Sequence, residues 1–136
     1  SAWLDREWSS QLLDDDQAGW DWIALSFENG ARLMGFRIRG AQGADATRGS
    51  WISADGVVTN LAPGALTMTP IETTQTPGGP VPTTWQIRLD EQSIDVTASA
   101  VNPQSWMDTT VAYWEGPMRV TGSHEGRGYL EMTGYE

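Results

Sequence analysis

The strongest constraint on the fold is a tight-turn dipeptide, Asn29-Gly30, which separates two predicted strands, the second of which alternates well between its two faces. These strands cover residues 20–28 and 32–39, and Asp55-Gly56 repeats the signal further along the chain. Asn-Gly and Asp-Gly suit the type I′ turn of a β-hairpin, because both central residues of that turn need positive φ angles. The sequence therefore predicts antiparallel hairpins that follow one another.

Alternation and turn signals together predict ten short strands. Pro70 interrupts one of them, and a proline inside a strand predicts a sheet edge or a bulge. Residues 76–82, rich in proline and glycine, are predicted to form a loop, and residues 102–108 are predicted to be irregular. No long helix is expected. The predicted strands cover residues 2–9, 20–28, 32–39, 48–54, 57–61, 65–74, 85–89, 94–100, 111–121 and 128–135.

A series of hairpins forms an antiparallel meander, whose outer strands are left with unpaired edges unless the sheet closes. The expected fold is therefore all-β, a lipocalin-like up-and-down barrel of about eight to ten strands. A β-sandwich is the alternative. The 136 residues correspond to a single domain, 1–136. A barrel of this size can hold one small ligand.

Charge and composition exclude several classes of partner and site. The formal net charge is −10, from 18 acidic and 8 basic residues, and every basic residue is arginine. An acidic chain without a basic stripe disfavours nucleic acid and anionic membranes as partners. No apolar run approaches the roughly 20 residues of a membrane span. With no cysteine and a single histidine, His124 in a predicted turn, we expect neither a metal site nor a cofactor.

The stretch Trp3-Leu-Asp-Arg-Glu-Trp8 combines two tryptophans, two carboxylates and a guanidinium in six residues. A charge among tryptophans is costly to bury unless it is paired. Related mixtures are Gly19-Trp-Asp-Trp22, Tyr113-Trp-Glu-Gly116 and Gly128-Tyr-Leu-Glu131. We interpret these segments as meeting in space, with Arg6 among three glutamates. The glutamates are Glu7, Glu115 and Glu131.

Two roles are open for this group of charges. In the first, the ion pairs are structural and tie the barrel shut. In the second, the guanidinium fork of Arg6 binds a ligand carboxylate. Acid catalysis is a further possibility for the glutamates, because burial beside aromatic rings raises a carboxyl pKa and keeps the acid neutral. Arg6 works against that role, since a nearby cation favours the ionised form.

The motifs at residues 2–9, 19–22, 113–116 and 126–135 resemble those of the AttH and carotenoid 1,2-hydratase (hydroxyneurosporene synthase) family. The resemblance covers residues 2–135 and keeps the motifs in order. In that family two lipocalin-like domains lie in tandem, and this chain resembles the second. The resemblance therefore implies a missing N-terminal lipocalin-like domain as partner. Because the first predicted strand has no preceding strand to pair with, we also expect the isolated domain to self-associate. The resemblance also implies a periplasmic or secreted location.

Two departures from the hydratase branch favour the AttH-like branch, which has no settled activity. The hydratases carry histidine where this chain has Arg6, and they place tyrosine and aspartate near the segment that here reads Met34-Gly-Phe-Arg-Ile38. Trp8 matches the family motif and is expected to be a wall of the ligand site.

The expected function is binding of an apolar or isoprenoid-like small molecule. The alternative is a cofactor-independent hydratase or isomerase of an isoprenoid that uses Glu7, Glu115 or Glu131 as its acid. A third interpretation is purely structural, with this domain supporting the missing one. Eight tryptophans indicate an aromatic-lined pocket. The predicted ligand-binding residues are Arg6, Trp8, Trp20, Trp22, Tyr113, Trp114 and Tyr129.

Overall fold

A computed structural model describes residues 13–43 and 45–135. These residues form one antiparallel sheet of ten strands with a single 3-10 turn, Asp90–Gln92. The all-β prediction is therefore confirmed. Within the described residues, no helix has the length and apolar character needed to cross a membrane. The strands are β1 (Gln17–Phe27), β2 (Arg32–Gly40), β3 (Ala46–Ile52), β4 (Val58–Asn60), β5 (Leu66–Thr76), β6 (Gly79–Leu89), β7 (Ile94–Ala100), β8 (Trp106–Met107), β9 (Tyr113–Gly122) and β10 (Gly126–Met132).

The order of strands across the sheet is β4-β3-β2-β1-β10-β9-β7-β6-β5, with β8 paired to β9. Strands that follow one another in the chain are mostly neighbours, as in the predicted meander. Strands β4 and β5 follow one another in the chain but are not neighbours, because they lie at opposite ends of the ladder. The first and last described strands, β1 and β10, pair near its middle. The sheet is curled into a half-barrel, consistent with a lipocalin-like fold.

The two ends of the curled sheet approach one another through side chains. The end of the Leu66 side chain on β5 lies over Gly35 on β2, so close that a Cβ at residue 35 would clash with it. Gly49 on β3 is packed in a similar way, against the backbone of β2 and the side chain of Leu61. Among the described residues, the hydrogen-bonded ladder itself ends at β4 and β5.

Apolar side chains fill the inner face of the curl. Along β1, Ile23 and Leu25 point inward and are buried, whereas Trp20 and Trp22 point outward and are half-buried; Ala24, which also points outward, is buried. Trp85 and Trp114 lie in this core with no exposed surface. Every second residue of the central strands therefore contributes to the core, which fixes the register of the sheet.

The prediction of a loop over residues 76–82 was wrong. The chain turns sharply, and β6 begins at Gly79. Pro80 and Pro82 pair with β5, whereas the pairing of β6 with β7 begins only at Thr84. The two prolines therefore lie in the part of β6 that pairs on one side only. A missing N–H is tolerated there, because the other side has no hydrogen-bonded partner strand among the described residues. The prediction for Pro70 was right, because β5 is an edge strand with a register shift after that residue.

Candidate functional site

The outer face of the sheet, opposite the core, carries most of the aromatic residues that the sequence singled out. Trp22 on β1 lies opposite Phe36 on β2 and opposite Glu131 on β10. Trp20, two residues earlier, packs edge-on against Tyr113 with ring centres 6.1 Å apart. We call the outward rings the aromatic surface; it consists of Trp20, Trp22, Phe36, Tyr113 and Tyr129, and all five are half-buried.

Two of the predicted acids lie beside the aromatic surface. Glu131 on β10 and Glu115 on β9 are direct cross-strand partners. The indole Nε1 of Trp20 donates a 2.8 Å hydrogen bond to Oε1 of Glu131. Burial raises the pKa of the Tyr129 hydroxyl, and the charge of Glu115 and a hydrogen bond to it raise that pKa further. The carboxylates are therefore held by donors of the aromatic surface itself.

The remaining predicted residues fall elsewhere. Trp114 lies on the inner face, completely buried, and its Nε1 donates a 2.9 Å hydrogen bond to the carbonyl oxygen of Pro103. Arg6, Glu7 and Trp8 lie outside the described residues, as does the predicted strand 2–9. The structure thus brings Trp20, Trp22, Tyr113 and Tyr129 to one face and places Trp114 in the core.

A second group of polar residues, which the sequence analysis missed, lies on the inner face. We call it the inner polar cluster; its members are Asp21, Arg37, Arg39 and Tyr135. Asp21 has no exposed surface. Its Oδ2 is 3.5 Å from Nη1 of Arg37 and its Oδ1 is 3.5 Å from Nε of Arg39. The Tyr135 hydroxyl donates a 2.9 Å hydrogen bond to the same Oδ1.

Both arginines of the cluster are held by further contacts. Arg37 donates two hydrogen bonds to Oδ2 of Asp45 and lies 5.9 Å from the ring centre of Trp85. Arg39 donates to the carbonyl oxygens of Thr133 and Gly134 and stacks 4.0 Å from the ring centre of Tyr135. The guanidinium of Arg39 therefore links the last described residues to the end of β2.

Burial dominates the electrostatics of the inner polar cluster. It raises the pKa of Asp21, although Arg39, the Tyr135 hydrogen bond and Arg37 act in the opposite direction. It also raises the pKa of Tyr135, and the charge of Asp21 adds to that effect. Oδ2 of Asp21 and Nη1 of Arg37 are buried without a hydrogen bond, so only their electrostatic attraction compensates their lost hydration.

His124, the single histidine, lies in the turn at the opposite end of β1 and β10. The ring of His124 packs 5.4 Å from that of Phe27, and its Nδ1 is 3.1 Å from the Ser123 hydroxyl. In the described ranges, no three histidine, aspartate or glutamate side chains are grouped in a way that could hold a metal ion. The candidate chemistry of the described residues thus consists of aromatic rings, carboxylates and arginines.

Comparisons with known proteins agree on one family. A family model described as AttH-like matches residues 1–135. The crystal structure of an AttH protein from Nitrosomonas europaea is similar, with 29% sequence identity, a TM-score of 0.84 and coverage of 95% of this chain and 42% of that one. Kievitone hydratase from Nectria haematococca shares the fold, with 15% identity, a TM-score of 0.70 and coverage of 86% and 39%. No curated protein sequence matches the chain. The chain thus spans about two fifths of the length of both solved relatives.

Proposed function

Because the chain belongs to the AttH-like family, we propose that its lipocalin-like domain binds an apolar or isoprenoid-like small molecule on the aromatic surface. The observation that carries this proposal is the convergence of Trp20, Trp22 and Tyr113 with Tyr129 on one face of three adjoining strands. Large aromatic side chains gain the most from contact with an apolar ligand.

The outer face of β1 and β2 offers such a ligand a continuous apolar path. Direct cross-strand pairs supply it, and the pairs are Trp20 with Ile38, Trp22 with Phe36 and Ala24 with Met34. We call these six residues the apolar lane. From Trp20 to Ala24 the lane is about 13 Å long, at roughly 3.3 Å per residue of strand. It therefore fits an extended hydrocarbon chain better than a compact ring system.

The inner face is a poorer candidate, because core side chains such as Trp85 and Ile87 fill it without any exposed surface. A ligand inside the curl would have to displace them, and opening a packed core costs about 1–3 kcal/mol or more. On the outer face the rings of the aromatic surface are half-buried, so part of each ring is exposed.

Tryptophan fluorescence during titration with polyene or retinoid-like ligands tests the proposal. We expect Trp22→Ala and Phe36→Ala to weaken binding about tenfold or more, since each removes a large contact area. Ile71→Ala is the matched control, because it removes an exposed apolar side chain from β5, which is not a ladder neighbour of β1 or β2. Equal loss in the control, or none in Trp22→Ala, would refute this location.

Asp21 favours the second candidate function, a cofactor-independent hydratase. Proton addition to an alkene needs a carboxylic acid that stays neutral, and burial moves the pKa of Asp21 in that direction. Turnover in a protein that also contains the family's other domain would show this activity. Asp21→Asn, Glu7→Gln, Glu115→Gln and Glu131→Gln should then identify the acid. If no turnover occurs and binding survives all four substitutions, the carrier function stands.

A further inference from the structure

Three arginines form a line across the outer face at one end of the apolar lane. Arg127 on β10 lies opposite Arg119 on β9 and, on its other side, opposite Ser26 on β1. Ser26 in turn lies opposite Arg32 on β2. We call this line, which crosses four strands, the basic row; its members are Arg32, Ser26, Arg127 and Arg119. Since cross-strand partners share a face, all four side chains point outward.

The basic row is unusual in a chain of net charge −10 with only 8 basic residues. Like charges directly opposite one another on neighbouring strands destabilise a sheet, and Arg127 and Arg119 are such a pair. Within residues 13–43 and 45–135, the salt bridges involve Arg37, Arg39 and Arg88, and no arginine of the basic row forms one. An anion bound between the guanidinium groups would remove the repulsion.

An open pocket lies at the basic row. Its volume is about 510 Å³, ample for a carboxylate or phosphate group. One acidic residue, Glu28, shares it with two of the arginines and lowers the local positive charge without cancelling it. The lining residues are Ser26, Phe27, Glu28, Arg32, Gly126 and Arg127.

The apolar lane leads directly to this pocket. At the end of the lane, Ala24 lies two residues before Ser26 on β1. Its partner Met34 lies two residues after Arg32 on β2. Two residues of strand span about 7 Å. The outer face of β1 and β2 is therefore apolar for three consecutive pairs and then ends in a polar, positively charged site.

We propose that the ligand of this domain is an apolar chain ending in an acidic group, carboxylate or phosphate. The basic row binds the acidic group and the apolar lane binds the chain. This inference rests on the proposed function and specifies its ligand class. Guanidinium groups match both anions, because their fork donates two parallel hydrogen bonds to a pair of oxygens.

Two glutamates on the outer face favour one orientation of the bound ligand. Glu131 and Glu115 lie four residues from Arg127 and Arg119 along their strands, a separation of about 13 Å. They place acidic side chains at the far end of the outer face, whereas the basic row places cationic ones at the near end, where an acidic group is attracted. The apolar lane runs beside the glutamates on β1 and β2, so the chain of the ligand does not need to cross them.

Titration of the full chain with dodecanoate, dodecyl phosphate and dodecanol, each below its micellar concentration, tests this ligand class. At least one of the two acids should bind about tenfold more tightly than the alcohol, the effect of one hydrogen bond to a charged group. Whichever acid binds more tightly identifies the head group. Added salt should weaken binding of the acid but not of the alcohol.

Arg127→Gln and Arg32→Gln should lower the affinity for the acid to that for the alcohol and leave the affinity for the alcohol unchanged. Arg88→Gln is the control, since Arg88 is an exposed arginine on β6 that pairs with Asp90. Equal binding of acid and alcohol, or loss of both in Arg127→Gln, would overturn this inference while the proposed function stands. If none of the three ligands binds, both this inference and the proposed function fail.

Discussion

The hydroxyl of Tyr135 donates a 2.9 Å hydrogen bond to Oδ1 of Asp21, 114 positions earlier in the sequence. The bond joins the last described residues to β1 and completes the contacts of a carboxyl that has no exposed surface. Both groups have raised pKa values, because each is more costly to ionise inside the fold than in water.

The raised pKa of Asp21 predicts a specific dependence of stability on pH. In the unfolded chain Asp21 ionises near pH 3.9, at roughly the ordinary value for aspartate, whereas in the fold it holds its proton to higher pH. Its contribution to stability is therefore fully present below about pH 4 and is lost as pH rises through the folded pKa. Urea unfolding of wild type and Asp21→Asn across pH 3–8 measures this. The wild-type advantage should shrink with rising pH; an advantage that grows would contradict the assignment.

Tyr129 should ionise at higher pH than an ordinary tyrosine, and Glu115 should be part of the cause. The chain has three tyrosines, so the difference between wild type and Tyr129→Phe in an ultraviolet pH titration isolates this one. In Glu115→Gln the pKa of Tyr129 should fall towards its usual value, since the nearby negative charge is gone. Glu125→Gln, in the turn before β10, serves as the control. An unchanged pKa in Glu115→Gln would mean that burial and the charge of Glu131 set it without Glu115.

A methyl group at residue 35 should be costly, because the end of the Leu66 side chain that it meets would have to move within the packed core. We expect Gly35→Ala to lower the free energy of unfolding by about 1–3 kcal/mol, the usual effect of overpacking. In a Leu66→Ala background the same substitution should cost far less, because the clashing atoms are absent. Urea unfolding of the four proteins gives the coupling energy. Additive effects would show that the two ends of the sheet do not meet there.

Arg6 lies outside the described residues, and its pairing with Glu7, Glu115 or Glu131 stays a prediction. If it is buried and paired, Arg6→Ala should cost about 3–5 kcal/mol, the range for breaking a buried ion pair. Arg6→Met, which keeps much of the apolar stem, separates lost charge from lost packing. A loss below about 1 kcal/mol in urea unfolding, the range of surface pairs, would mean that Arg6 is exposed.

We propose from the family resemblance that this domain works beside a second lipocalin-like domain. Among the described residues the ladder ends at β4 and β5, and these edges are the expected contacts, because they expose Val58 and Ile71, at 63% and 54%. Sedimentation velocity with and without the second domain should show association, and without it self-association at high concentration. Ile71→Lys should weaken both, whereas Arg88→Gln should not. A monomer that ignores the added domain would contradict this proposal.

Local signals in the sequence were enough for most of the fold. The Asn29-Gly30 turn and the alternation of residues 32–39 gave β1 and β2 nearly their full extent. The turn around His124 likewise separates β9 from β10. The first half of β6, residues 79–84, was missed, because the effect of a proline depends on whether the position of its missing N–H faces a pairing partner. Pairing partners are not visible in a single segment.

The aromatic surface was predictable in part and the inner polar cluster was not. Trp20 and Trp22 share one face of any strand, which leaves Asp21 on the other. Arg37 and Arg39 likewise alternate with Phe36 and Ile38. The missing information was which face would be buried and that Asp21 would lie opposite Arg37 in the sheet. Register between distant segments arises from the packing of the whole core.

The pairing of β1 with β10 has a consequence for synthesis on the ribosome. The strand that joins the two halves of the sheet, Gly126–Met132, is the last of the described strands to emerge. Until then, the nascent chain exposes one open edge on β1 and another on β9, beside hydrophobic side chains that have not yet been covered. Such edges recruit neighbouring chains. We therefore expect chaperone binding to the nascent protein to persist until this strand has been made.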